Sequence, residues 1–140
     1  KKYLEAISRA GIKILNNEMI NLNGLQIVGV DYHDSGNKEK YQSILSSLKI
    51  NRDQPSILLK HSPYRPEIAE KAGISLQLSG HTHNGQIFPI GLISDWIFRG
   101  YSNGLKKLGD LAVYTSSGTG TWGPPMRIGT IAEIALIEFK

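Results

Sequence analysis

Three of the four histidines, His61, His81 and His83, stand just beyond two short strand-like segments, Ile57 to Lys60 and Ile74 to Leu78. Neutral imidazole is a common ligand for zinc, iron and similar ions. The chain has no cysteine, so a metal here must be held by histidine, carboxylate, asparagine or water. The spacing of His81-Thr82-His83 matters as well. In an extended segment two such side chains share one side, whereas a turn splays them so that they can serve two adjacent metals. Gly80 and Gly85 bracket this turn, as they would where backbone passes close to a ligand. A lone histidine is more often an ordinary surface or core residue, and a bare His-x-His carries little. The longer string Leu78-Ser79-Gly80-His81-Thr82-His83-Asn84-Gly85-Gln86 is far more specific.

The elements that must position these residues can be read from periodicity. Tyr3, Leu4, Ile7 and Ala10 fall at helical spacing, with Gly11 where a C-terminal cap belongs. Ile12 and Ile14-Leu15 predict a short strand. Met19 to Leu22, the Asn23-Gly24 turn and Leu25 to Val30 predict a hairpin with a buried second strand. Asp31 to Asn37 reads as a loop, and Glu39 to Lys49 as an amphipathic helix. Ser56 to Lys60 reads as a second buried strand. Pro66 to Ala72 is a short helix closed by Gly73, and Ile74 to Leu78 a third strand. Gln86 to Phe98 is apolar but broken by Pro89, Gly91 and Asp95. Leu111 to Ser116 and Ile131 to Phe139 read as later strands around a Gly/Pro-rich loop from 117 to 129. The pattern is α/β in one domain, residues 1–140, with no repeat or linker, and its apolar strands need cover. Ligands of open α/β sheets bind beyond the carboxyl ends of the strands. Two neighbouring parallel strands would therefore bring His61 together with His81 and His83.

Composition narrows the function classes. The 140 residues, 40% apolar and 20% charged, suit one globular domain. No apolar run approaches the roughly 20 residues of a membrane span. The polar start Lys1-Lys2-Tyr3-Leu4-Glu5 does not read as a secretory leader, and with no initiator Met it leads us to expect residues before Lys1. Sixteen Lys and Arg against 12 Asp and Glu suit anionic partners, but the cations are scattered. No nucleic-acid partner is expected, because there is no basic stripe with interleaved aromatics.

The string Gly80-His81-Thr82-His83 resembles the Gly-His-Thr-His motif of calcineurin-like metallophosphoesterases, and Leu59-Lys60-His61-Ser62-Pro63 resembles that family's lone-histidine motif. Gly80 to Pro89 and Gly118 to Gly129 are similar to segments of a bacterial branch with membrane-associated phosphoesterases; Asn84 stands where Gly is more usual. The resemblance covers the chain only as the carboxy-terminal half of the family's domain. It implies an α/β/β/α fold, a β-sandwich flanked by helices. It also implies hydrolysis of phosphate mono- or diesters at two divalent metals of the Mn, Fe or Zn class, roughly 3.5–4 Å apart. His61 and His81 would ligate one metal and His83 the other. Arg127 would contact substrate phosphate, and Gln86 would orient a ligand from behind. The family's first-half motifs Gly-Asp and Gly-Asn-His-Asp do not occur here. Asp31-Tyr32-His33 has the form of its Asp-x-His motif, but without those successors we read it as a decoy at the site rim, with His33 or Asp34 at most touching substrate.

The expectations are therefore a chain with no catalytic residue of its own that can be named, holding at most one metal weakly and inactive alone. A homodimer or strand exchange would cover a sheet face that lacks its other half, and the missing half is itself an expected partner. If the Gln86 to Phe98 side chains stand exposed beside the metal site, a membrane surface joins the partners. The resemblance places the parent in the bacterial cytoplasm or at the membrane periphery. Two other readings stay open: a binding scaffold without catalysis, and a mononuclear zinc hydrolase using Asp31, His33, His81 and His83.

Overall fold

The computed structural model describes residues 2–138. Its helices and strands in chain order are α1 (Lys2–Arg9), β1 (Glu18–Leu22), β2 (Leu25–Gly29), α2 (Tyr32–Gly36), α3 (Lys38–Ser47), β3 (Ser56–Leu59), α4 (Pro66–Ala72), β4 (Leu76–Ser79), α5 (Ile90–Ile97), β5 (Gly104–Leu108) and β6 (Leu111–Thr115). The strands form one sheet in the order β1-β2-β3-β4-β6-β5. Strands β2, β3, β4 and β6 run parallel, and antiparallel hairpins close the two edges. The expected α/β class is borne out.

One face of this sheet carries the core. The register aligns Val28, Leu58, Gln77 and Val113 in a single row, and all four are buried. Tyr41 and Leu45 of α3 and Ile68 and Ala69 of α4 pack on that face. Removing such side chains from water is the main stabilising term, at about 1.5–3 kcal/mol for each large apolar group. The neighbouring rows, Ile27-Ile57-Leu76 and Leu59-Leu78-Tyr114, point to the other face. Among the described residues no helix layer covers that second face, and Leu59 is left 44% exposed.

Several local expectations are corrected. Asp31 to Asn37 is not a loop but the helix α2, because the Asp31 carboxylate accepts from the backbone N–H of His33 and Asp34 and so caps it. Ile12 to Leu15 forms neither helix nor strand. Part of the broken apolar stretch forms α5, and β5 pairs in a hairpin with β6. The last expected strand, from Ile131, forms no ladder through residue 138, and Phe139 lies outside the described residues. That tail crosses the open sheet face, tied by Glu133 to Tyr114 and Ser117, so no strand edge runs beside it.

Candidate metal centre at the carboxyl edge

Because the four inner strands are parallel, their carboxyl ends deliver four chain segments to one edge. These begin at Val30, Lys60, Gly80 and Ser116. Ladder bonds continue past the strands: Lys60 N–H donates to Leu78 O at 3.1 Å, Gly80 N–H to His61 O at 2.9 Å, and Ser116 N–H to Ser79 O at 2.8 Å. His61 is thus held by sheet pairing, whereas the turn after β4 is held by strained backbone. His81, His83, Asn84 and Gln86 all take positive φ (72°, 50°, 50° and 57°). Each costs on the order of 1 kcal/mol or more for a residue with a Cβ, and such strain clusters at functional sites. Thr82 pins this turn, donating to Ser102 O at 2.6 Å and accepting from Asn84 N–H at 3.2 Å.

The result is a convergent imidazole pair. His61 Nε2 and His81 Nδ1 lie 3.0 Å apart, with the rings edge to face. Tyr32 flanks both, its ring centroid 5.1 Å from His61 and 5.5 Å from His81. Desolvation lowers the pKa of both histidines; the charge of His83 lowers His61 further, and the charges of His61 and His83 lower His81. Both shifts favour the neutral form that binds metals. His83 Nδ1 is buried with no hydrogen-bond partner.

These residues fit a divalent metal in kind. Two imidazole nitrogens on one tetrahedral ion at ordinary Zn–N lengths stand about 3.3 Å apart, close to the observed 3.0 Å. The orphaned His83 nitrogen is a further candidate donor. In number they fall short, since among the described residues no group of three His, Asp or Glu side chains could hold a metal ion. Asp31 is occupied as a helix cap, and Asp34 pairs with Lys40 at 2.6 Å. His33 lies against Tyr32 with its ring tilted at 59° and lines a cavity shared with Lys60 and His81, which places it at the rim.

One supporting group escaped the sequence reading. Lys60 is 2% exposed, and its ammonium donates to Ser62 O at 2.7 Å and Tyr64 O at 2.6 Å while lying over the Tyr41 ring. Burial, assisted by the Arg65 charge, lowers its pKa to about 8. It fastens the loop that leaves His61. Its sequence signal was weak, since a lysine ending an apolar strand reads as a surface residue. Arg127, singled out above for a phosphate contact, also has a supporting place. Its guanidinium donates to His83 O at 3.2 Å, Ser117 O at 2.7 Å, Gly118 O at 3.2 Å and Gly120 O at 2.6 Å. Gln86 pairs its side-chain amide with the backbone of Trp122, donating to the carbonyl at 2.7 Å and accepting from the N–H. Together they bind the 117–129 loop to the histidine turn.

A cavity of about 490 Å³ opens beside the histidines, walled on its far side by Ile90, Ile93, Ile97, Phe98 and Trp122. Helix α5 forms that wall and is packed hard against the turn: a Cβ on Gly85, whose φ is +72°, would lie 2.2 Å from the Gly91 Cα. The outer side of α5 is open, with Trp96 81% and, across the cavity, Trp122 77% exposed. Among the described residues, no helix is long and apolar enough to cross a membrane.

The chain is similar over most of its length to several bacterial proteins. It is 39% identical to an uncharacterized metallophosphoesterase of Helicobacter pylori over 140 residues, which cover 96% of this chain and 37% of that protein. With an uncharacterized metallophosphoesterase of Aquifex aeolicus the identity is 32% over 143 residues, 98% of this chain and 54% of the other. A bovine transmembrane protein with metallophosphoesterase domain is 44% identical over 85 residues, 59% of this chain and 19% of its own. The chain therefore spans only about a third to a half of the bacterial relatives. No family model matches it, and no solved structure matches it.

Proposed function

This chain belongs to the calcineurin-like metallophosphoesterase superfamily, and on that premise we propose that His61, His81 and His83 are ligands in a dinuclear centre that hydrolyses phosphate esters. The observation that carries this reading is the His61–His81 pair, its nitrogens 3.0 Å apart where parallel strands end. Divalent ions of the Mn, Fe or Zn class would supply Lewis acidity toward the phosphoryl group and lower the pKa of water. The chain's own residues position the donors. Lys60 fixes the segment that bears His61, and Arg127 and Gln86 hold the 117–129 loop against the turn that bears His83. The apolar cavity wall favours a phosphate ester with an apolar substituent, and the exposed face of α5 favours work at a membrane surface.

Three imidazoles without a carboxylate leave the two cations without charge compensation, so this chain alone binds at most one ion weakly and does not turn over. The uncovered sheet face takes up the rest of the domain in a longer parent, or a second copy in its absence. The test is metal content and phosphodiesterase activity of the chain, with and without the amino-terminal part of the domain added in trans. Activity only in the combination, abolished by His61→Ala, is the expected result. A folded complex without metal and without activity would favour the other reading, a binding scaffold, which has in its support that no three-ligand group exists among the described residues.

A further inference from the structure

A second cavity, of about 510 Å³, lies on the other side of Phe98 from the apolar one. Three cations line it: Lys38 at the start of α3, Arg65 just before α4 and Arg99 just after α5. The salt bridges among the described residues join Lys13 to Glu18 and Lys40 to Asp34, so none of the three has an ion-pair partner there. Glu67 shares the lining without pairing to any of them. Arg65 Nη1 is buried and has no acceptor. Burying a guanidinium N–H without an acceptor is unfavourable, so an oxyanion in the cavity that Arg65 lines would reward a turn of the side chain that brings this N–H to it. The guanidinium stands over the Tyr64 ring at 5.0 Å, which leaves its edge free to bond.

We propose that this cavity is an oxyanion subsite that takes a phosphoryl group between Lys38, Arg65 and Arg99. A planar guanidinium matches two phosphoryl oxygens at once, and the two flanking cations add charge from other elements. The subsite is separate from the histidine pair but adjoins it through aromatic contacts: Tyr64 to Phe98 at 6.5 Å between centroids, and Phe98 to His81 at 6.0 Å. Its occupant is either free phosphate or the second phosphoryl group of a substrate whose first lies at the histidine edge. Phosphate binding itself needs no metal. The second source alone rests on the phosphoesterase reading.

The test is calorimetric titration of the chelator-treated protein with inorganic phosphate at low ionic strength. Binding is expected, weakened at least tenfold by Arg65→Gln and by raising the salt, and changed less than twofold by His61→Ala. Should Arg65→Gln fail to fold by circular dichroism, the double variant Lys38→Gln/Arg99→Gln, altering two exposed side chains, must show the same loss. Repeating the titration with manganese present, using hexane-1,6-diyl bisphosphate against methyl phosphate, separates the sources. Tighter binding of the bisphosphate, lost with either Arg65→Gln or His61→Ala, identifies a substrate group, and equal binding identifies free phosphate. No binding at millimolar phosphate, binding indifferent to the cation variants, or loss on His61→Ala in the metal-free protein would overturn the proposal.

Discussion

The two sides of the histidine edge are held together by different physics. On one side, β2, β3, β4 and β6 rest on a dry row of side chains closed by α3 and α4. On the other, residues 117–138 bury little: Ile131 is 80% and Ile134 89% exposed, and the segment is fixed by the polar side chains of Arg127, Gln86 and Glu133. Burial is cooperative across a whole core, while a few hydrogen bonds can be lost with the region they tie down. The donor of His61 therefore inherits the stability of the sheet, and the turn that bears His81 and His83 leans also on the pins.

Substitutions on either side can break this comparison. Leu58→Ala, at a fully buried site, should cost about 2–5 kcal/mol and lower the thermal midpoint of the whole chain. Arg127→Ala should cost about 2 kcal/mol locally, since its bonds are charge-assisted; hydrogen exchange should quicken over residues 117–130 with the global midpoint almost unmoved. If it lowered the midpoint as far as Leu58→Ala does, the two regions would be one cooperative unit. Gln86→Ala should loosen the same segment by about 1 kcal/mol, read by the emission of exposed Trp122. The smallest effect belongs to Glu133. The Ser117 N–H, then Ser116 and Tyr114, hold its pKa below the usual 4.5 against partial desolvation. A carboxylate lowered by folding contributes stability that is complete above its unfolded value and lost as the pH falls through the folded one. The tail should thus loosen in acid below pH 4.5, and Glu133→Gln should flatten that dependence.

What could be read from sequence follows the same division. Strands β2, β3, β4 and β6 are rich in large apolar residues, and most of their burial is what the pattern encodes, the buried Gln26 and Gln77 apart. The histidines could be placed because each follows such a strand. By contrast, β5 is Gly104-Leu105-Lys106-Lys107-Leu108, too polar to signal a strand, and is made by its hairpin with β6. Helix α2 is five residues long, below the reach of periodicity, and depends on the Asp31 cap. The run from Ile131 has the composition of a strand, but composition does not supply a neighbouring edge. Arg127 shows the limit most clearly. The resemblance sets this arginine against phosphate, and only the folded loop reveals that four carbonyls also converge on it.

The contact between Gly85 and Gly91 has a mechanical meaning. With no clearance between them, the histidine turn and α5 cannot slide past one another and act as a single lever. A load on the exposed tryptophan end of that helix is transmitted to His83 as displacement rather than absorbed by a hinge. Anything that settles against α5 will be felt at the imidazoles, because that exposed surface and the histidine edge are two ends of one rigid arm.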